Sequence, residues 1–408
     1  MKCRHCGSEL SQPFLDLGSA PPSNAYLTEA ALEAPEIWYP LRLLVCTGCW
    51  LVQTEDHAGR EALFTKDYAY FSSFSTSWLD HAERYVQAMI ARIGLNAASR
   101  VVEIAANDGY LLQYVKAAGI PCYGVEPTAS TAAAARAKGI EIIERFFGIA
   151  LADELAATDM QADLIVANNV LAHVPDVNDF VAGFARLLKP TGVATFEFPH
   201  LLRMVQENQF DTAYHEHYSY LSLTAVEHVF ARNGLTVFDV EETSTHGGSL
   251  RVFAQRNDSN LQPASPNVPA LRKLEADAGV TATALYSDFQ ARAEKIKDNL
   301  VSFLIDAKRQ GRKVGAYGAA AKGNTLLNYA GVRPDLLPWV ADRNPAKQGK
   351  YMPGSRIPIV GEGRIAHERP DYILILPWNL RSEVEQQLAY ISQWGCRLVC
   401  AVPEMQGI

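Results

Sequence analysis

A chain of 408 residues, 48% of them apolar, has material for two or three packed domains. Its net charge of −8 argues against non-specific binding to nucleic acid or to an anionic membrane. No apolar run reaches the roughly 18–20 residues that span a bilayer, and the start, MKCRHCGSEL, lacks the apolar stretch of a signal peptide, so a cytoplasmic protein is expected.

In chain order, the first signal is a pair of knuckles, Cys3-x2-Cys6 and Cys46-x2-Cys49. Each turn supplies two thiolates, and together they complete a tetrahedral Zn2+ site with no open position, structural rather than catalytic. A redox pair and unmetallated buried thiols are the rival readings. The 39 residues between the knuckles exceed the spacing of a compact ribbon, and a loop such as Pro21-Pro22-Ser23-Asn24 is expected to fill the gap. Gly7 and Gly48 allow the turns. Cys122, Cys396 and Cys400 lie in apolar runs and read as core residues.

Asp80 to Ile93 has the spacing of an amphipathic helix. An apolar run (Val101, Val102, Ile104) then ends in a small-residue loop, Ala105-Ala106-Asn107-Asp108-Gly109, and a helix follows with Leu111, Leu112 and Val115. A second run, Tyr123 to Val125, ends at Glu126, about twenty residues on. Strand, tight turn, helix and an acid at the next strand tip form the nucleoside half-site of a doubly wound sheet; a plain buried βα unit is the alternative. A dinucleotide fold needs G-x-G-x-x-G, whereas only Gly109 remains here. Glu103 and Asp108 add negative charge that would repel a pyrophosphate and suit a cationic ligand.

Strands are predicted at Gly139–Ile143, Asp163–Asn169 and Gly192–Phe198, then an antiparallel hairpin of Val237–Val240 and Ser249–Gln255. The polar, proline-rich stretch Arg256–Pro269 marks a boundary. A long helix with Leu285, Phe289, Ile296, Leu300 and Leu304 on one stripe leads into a second α/β unit. Its strands are expected at Val314–Gly318, Leu337–Val340, Tyr372–Leu376 and Arg397–Ala401. Three domains result, residues 1–65, 66–256 and 257–408.

Tyr214-His215-Glu216-His217-Tyr218 packs two imidazoles, a carboxylate and two phenols into five residues, types that suit general acid–base work. A His-x-His metal site and a polar surface turn are the alternatives. His173, just after a predicted strand, could face the same crevice or be a hydrogen-bonded structural residue. Asp67 to Ser73 is an aromatic-hydroxyl cluster or a packed loop. His246-Gly-Gly-Ser-Leu-Arg251 is a strand-entry turn or an approach to an anion. Gly315-Ala-Tyr-Gly318-Ala-Ala-Ala-Lys322 repeats the strand–loop–helix theme with a lysine, either for an anion such as diphosphate or for close packing.

The loop Glu103-Ile-Ala-Ala-Asn-Asp-Gly109 resembles the first motif of class I S-adenosylmethionine-dependent methyltransferases. With the knuckle cysteines, H-V-P-D, Y-H-E-H-Y, H-G-G-S-L-R and Y-G-A-A-A-K-G-N-T in this order, the chain resembles the C-methyltransferases of nucleotide-linked keto-deoxysugars from Cys3 to its last domain. The resemblance implies an α/β protein: a small zinc-binding N-terminal module, a central class I methyltransferase Rossmann-like domain, and a C-terminal Rossmann-like domain that helps hold the nucleotide sugar. It implies His217 as general base, with Tyr214, Glu216, His173 and Tyr68 around it. S-adenosylmethionine would meet Tyr70, Ser72, Glu103, Ala105, Asn107, Asp108, Gly109, Glu126, Pro127, Asn168 and Asn169. The sugar nucleotide, of dTDP or GDP type, would meet His246, Arg251, Tyr317, Lys322 and Asn324. Ala105-Ala106 and Phe71 depart from the pattern of many relatives. Methylation is expected at a carbon beside the 4-keto group, C3′ first, through an enolate. An O- or N-methyltransferase and a non-catalytic sugar-nucleotide scaffold are the competing functions.

Overall fold

The computed structural model describes residues 1–57, 59 and 71–407. Three sheets carry the fold. The first joins β1 (Gln12–Ala20), β2 (Tyr39–Val45), β3 (Val52–Thr54) and, from far along the chain, β9 (Ser219–Tyr220), all antiparallel. The gap between the knuckles is therefore filled mainly by the β1–β2 pair. The Pro21–Asn24 loop is only its turn-side extension. Alternation explains β2: Leu41, Leu43 and Val45 face inward while Arg42 does not.

The second sheet contains β4 (Val101–Ile104), β5 (Cys122–Val125), β6 (Glu141–Ile143), β7 (Ala162–Asn168), β8 (Leu188–Pro199), β10 (Leu235–Thr243) and β11 (Ser249–Arg256). Its order is β10-β11-β8-β7-β4-β5-β6, parallel except for β11, which pairs antiparallel with both neighbours. Every residue of β4 is buried, because helices cover both faces and a parallel strand then reads as a continuous apolar run. The preceding helix, Thr76–Ile93, starts four residues earlier than its apolar spacing predicts. Ser75 caps it by accepting from the Trp78 amide, and Gly94 ends it at φ 68°.

The third sheet is wholly parallel: β12 (Val314–Tyr317), β13 (Val340–Ala341), β14 (Ile359–Val360), β15 (Tyr372–Ile375) and β16 (Arg397–Val399), in the order β14-β13-β12-β15-β16. β14 has no counterpart in the sequence reading. Of the Leu337–Val340 run only Val340 joins the two-residue strand, Pro338 having no N–H for a ladder.

The single long helix expected before this sheet is broken. One helix spans Asn267–Ala278 and stops at Gly279, in the left-handed conformation at φ 86°. Leu285 sits in a separate turn, and the second helix, Phe289–Arg309, buries Phe289, Ile296, Leu300 and Leu304 on one stripe. Phe289 stacks on Phe14 of β1 at 4.7 Å, so the first and third sheets share one core. Of the three remaining cysteines, Cys400 alone is buried; Cys122 and Cys396 are half-buried. Among the described residues no helix is long and apolar enough to cross a membrane.

Candidate active site

In an open α/β sheet, ligands bind where strand order reverses, beyond the carboxyl ends of the strands. The second sheet reverses at β4 and the third at β12, and both reversal points open on one cavity of about 620 Å³. Ile104, Ala105, Glu126, Asn168 and Asn169 line it from one side, and Gly318, Lys322, Asp342 and Asn379 from the other. His173, Tyr214 and His217 also line it.

The imidazoles are oriented by carbonyls. His217 Nδ1–H donates to the Thr212 carbonyl at 3.0 Å, which leaves Nε2 as an acceptor for the Tyr214 hydroxyl at 2.8 Å. Burial, followed by the neighbouring His173, holds the His217 pKa well below the usual histidine range. His173 Nδ1–H donates to the Glu216 carbonyl at 2.8 Å, its ring 4.6 Å from that of His217, and burial lowers it to about 4. Both rings are neutral free bases at pH 7. The rest of the five-residue cluster faces elsewhere. His215 donates to the carbonyls of Tyr39 and Pro40, and Tyr218 lies under Arg4. The Glu216 carboxylate, expected in the pocket, is instead buried behind it and accepts from the amide and side chain of Asn24.

The loop after β4 bends through left-handed residues: Ala105 at φ 57°, Asn107 at 49° and Gly109 at 75°. Its amides are already engaged. Ala106 N–H donates to the Val125 carbonyl, Asn107 N–H to Glu126 Oε2 at 2.9 Å, and Gly109 N–H to the Ala106 carbonyl. With these three amides engaged, the loop suits a nucleoside better than a dinucleotide, whose diphosphate needs free amides. The second Glu126 oxygen accepts from Thr128 N–H at 2.9 Å, and the Thr128 and Thr131 side chains also hydrogen-bond this carboxylate, whose pKa burial raises.

The expected negative charge of Glu103 is a correction. Glu103 is buried off the cavity wall, and burial drives its carboxyl well up. Asp108 faces the Ser73 amide and Lys138 Nζ at 3.6 Å. Gly109 is also behind the wall, where a Cβ would meet Ile140 at 2.4 Å. Ser72 and Pro127 do line the cavity, Ser72 donating its N–H to Asn107 Oδ1. Tyr68 and Tyr70 lie outside the described residues.

Two expected substrate contacts are contradicted. Arg251 is buried and its Nε donates to Glu197 Oε2 at 3.1 Å, with Glu241 and the Tyr85 ring completing its surroundings. The guanidinium neutralises an internal acid and is not presented to the cavity. Asn324 is buried in a helix and donates to the Ser23 carbonyl. Tyr317 borders the cavity, but its hydroxyl donates towards Glu362 and Gln387. His246 lines the cavity at φ 54° and accepts from Asn169 Nδ2 at 2.9 Å. Gly315 and Gly318 serve packing, where a Cβ would strike Trp339 and Pro377. Lys322 does reach the cavity, with its Nζ donating to Asn379 Oδ1 at 2.7 Å and 4.3 Å above the Trp378 ring.

At the N-terminus the four Sγ atoms lie within 4.8 Å of one another, Cys3 to Cys49 at 3.6 Å and Cys6 to Cys46 at 3.5 Å. A tetrahedron with Zn–S of about 2.3 Å has S···S edges of about 3.8 Å, so the thiolates fit zinc. Gly7 takes the left-handed position of the first knuckle at φ 79°; in the second it is Trp50, at 60°, and not Gly48.

Family models match in three regions: a zinc binding domain at 3–64, a methyltransferase domain at 78–240 and a C-methyltransferase C-terminal domain at 244–403. Over 405 residues, 99% of this chain and 96% of the relative, the sequence is 32% identical to C-methyltransferase NovU of Streptomyces niveus. The chain belongs to the C-methyltransferase family. Similar solved structures include the magnesium protoporphyrin IX methyltransferase ChlM from Synechocystis PCC 6803 with bound SAM, at 16% identity over 50% of this chain and 100% of that one, TM-score 0.36. Another is the PH0226 protein from Pyrococcus horikoshii OT3, at 15% identity over 46% and 95%, TM-score 0.38. The expected architecture therefore holds: a zinc-binding module, a central class I methyltransferase domain and a C-terminal α/β unit, in an S-adenosylmethionine-dependent C-methyltransferase.

Several wall residues of this C-methyltransferase escape sequence reading. Arg145, Phe146 and Phe147 follow β6, and the strand-tip rule applied to that third parallel strand would have found them. Trp78 packs between the rings of His81 at 4.9 Å and His246 at 5.0 Å, and looks like core on a helical wheel. Asn24 reaches the cavity from the N-terminal module, and Asp342 ends β13 much as Glu126 ends β5.

Proposed function

We propose that the enzyme methylates the carbon next to the 4-keto group of a nucleotide-linked deoxysugar, C3′ first, after His217 removes a proton. The observation that carries this reading is the neutral His217–Tyr214 pair on the wall shared by Glu126 and Lys322. Carbon becomes a nucleophile only when a proton beside a carbonyl is lost, and a free imidazole with a fixed tautomer is suited to take it. Bound S-adenosylmethionine supplies a methyl group on a cationic sulfur.

His217 Nε2 must exchange its Tyr214 partner for the sugar C–H. The released phenol can then donate to the developing enolate oxygen, so one movement frees the base and supplies the donor. The burial that keeps His217 unprotonated also weakens it as a base. An anionic substrate in the cavity offsets part of this, because nearby negative charge favours the imidazolium. Lys322, at the mouth of the third sheet's reversal point, would hold the diphosphate, and Asp342 at the tip of β13 is placed for ribose hydroxyls. Glu126 would hold the ribose of the cofactor.

The test is wash-in of deuterium at the sugar ring from D2O, followed by mass spectrometry, with dTDP- and GDP-linked 4-keto-6-deoxyhexoses. Exchange that disappears in His217→Asn, while calorimetric affinity for S-adenosylmethionine stays within threefold, is the expected result. Exchange at the native rate in that variant removes His217 from the role of base.

A further inference from the structure

One buried acid has no part in the chemistry above. Asp211 is fully buried and directly precedes Thr212, whose carbonyl fixes His217 Nδ1–H. Its Oδ2 accepts from the indole N–H of Trp378 at 2.8 Å, and its Oδ1 has no hydrogen-bond partner among the described residues. Burial pushes this carboxyl up to about 6. Trp378 comes from the turn after β15, on the opposite sheet.

The same indole has two further contacts. Lys322 Nζ stands 4.3 Å from the ring centroid and is tethered to the neighbouring Asn379. The far edge of the ring fills the space beside Gly247, where a Cβ would come within 2.4 Å of Cη2. Gln209, at the start of the His217 loop, donates to the Gly247 carbonyl at 2.6 Å. A second tie between the halves, Thr325 Oγ1 to the Ala213 carbonyl at 2.8 Å, holds the loop one residue beyond Thr212.

The geometry points to Trp378 as a positioning residue: its N–H fixes Asp211, and through the Thr212 carbonyl the His217 ring, while its face carries Lys322. This rests on His217 being the base. A rigid bicyclic ring then sets the separation between the proton-abstracting atom and the anion-holding ammonium. Losing its N–H should disturb the chemical step and leave anion binding in place, since a phenyl ring still offers Lys322 a π face. A displacement of about 1 Å in a reacting group can reduce rate by about 100-fold.

The experiment uses full-length, zinc-loaded protein and a dTDP-linked 4-keto-6-deoxyhexose, comparing W378F, D211N, D211A, W378F/D211A and H217N. Expected for W378F is a fall of about 10- to 100-fold in both kcat and ring-hydrogen exchange, with sugar-nucleotide KM within threefold. D211N keeps an acceptor for the indole and should stay within about fivefold of the parent, whereas D211A should match W378F. The double variant should be no slower than either single one, because both break one link. W378F with unchanged kcat and exchange beside a dead H217N overturns the proposal, as does a loss confined to KM or multiplicative losses in the double variant. Should D211A not fold, W378F and D211N still decide. Exchange surviving in H217N is a different failure, that of the base assignment.

Discussion

Lys322→Met should stabilise the protein and weaken its substrate binding. Burial brings the Lys322 ammonium down from its ordinary 10.5 to about 8, against a smaller opposing pull from Asp211. At about 1.36 kcal/mol per pH unit, keeping that charge in the folded protein costs about 3 kcal/mol at pH 7. The lost bond to Asn379 and contact with the Trp378 ring offset part of the relief, leaving a net gain of about 1–2 kcal/mol for the methionine variant. The sign depends on pH. Below 8, folded and unfolded chains both carry the charge and the folded one bears the whole cost. Between about 8 and 10.5 the folded chain deprotonates first and the cost fades, so the variant's advantage should shrink through that window. Urea midpoints at pH 7 and pH 10, measured on full-length zinc-loaded protein, read this directly. Removing one charge-assisted bond to a diphosphate should raise sugar-nucleotide KM by about 10- to 100-fold. A variant less stable than its parent at pH 7, or equally stabilised at both pH values, would refute the reasoning.

Glu126→Ala removes an acceptor for two ribose hydroxyls, each bond worth about 1.5–3 kcal/mol, and should weaken S-adenosylmethionine binding by at least about 100-fold; an unchanged calorimetric Kd contradicts it. Stripping zinc with a chelator should unfold the N-terminal module before it slows the chemistry of molecules that remain folded, and a folded but inactive zinc-free protein would mean the metal has another task. Arg251→Met should cost about 3–5 kcal/mol by leaving the Glu197 carboxylate without its guanidinium. In the protein that still folds, sugar-nucleotide KM should not move; a clear rise would return Arg251 to the substrate.

Arg251 and Lys322 show where reading the chain alone stops. Each is a cation near glycines at the edge of a predicted strand, and nothing local separates them. The difference comes from long-range register: β11 runs beside β8 so that Arg251 stands opposite Glu197, and the acid claims the guanidinium. Lys322 has no such partner in its own sheet and reaches the cavity instead. The same applies to Glu103, which sits in mid-strand between Gly124 and Val166 and is enclosed by the parallel sheet. β9 pairs Tyr220 with Val52, a contact between distant segments that no periodicity announces. The break at Gly279 is legible, since glycine at a helix end favours the left-handed turn. The β4 loop and its acid were legible because strand, turn and helix are set by neighbours in sequence.

Charge orders the two proposed ligands before any contact forms. Other ionisable groups on the cavity wall have charged partners: Arg145 pairs with Glu154, and Lys347 faces Asp342 at 3.9 Å. Glu126 and Lys322 are different. The carboxylate accepts from two backbone amides, burial raising its pKa, and the ammonium donates to an amide oxygen; neither has an ion-pair partner among the described residues. A sulfonium nucleoside and a diphosphate sugar entering the same cavity are thereby drawn to opposite ends, and swapping them would set like charges together. His217 lines the same cavity. If His217 is the base, a cationic methyl donor on one side and an anionic handle on the other would leave the carbon it deprotonates facing the methyl group.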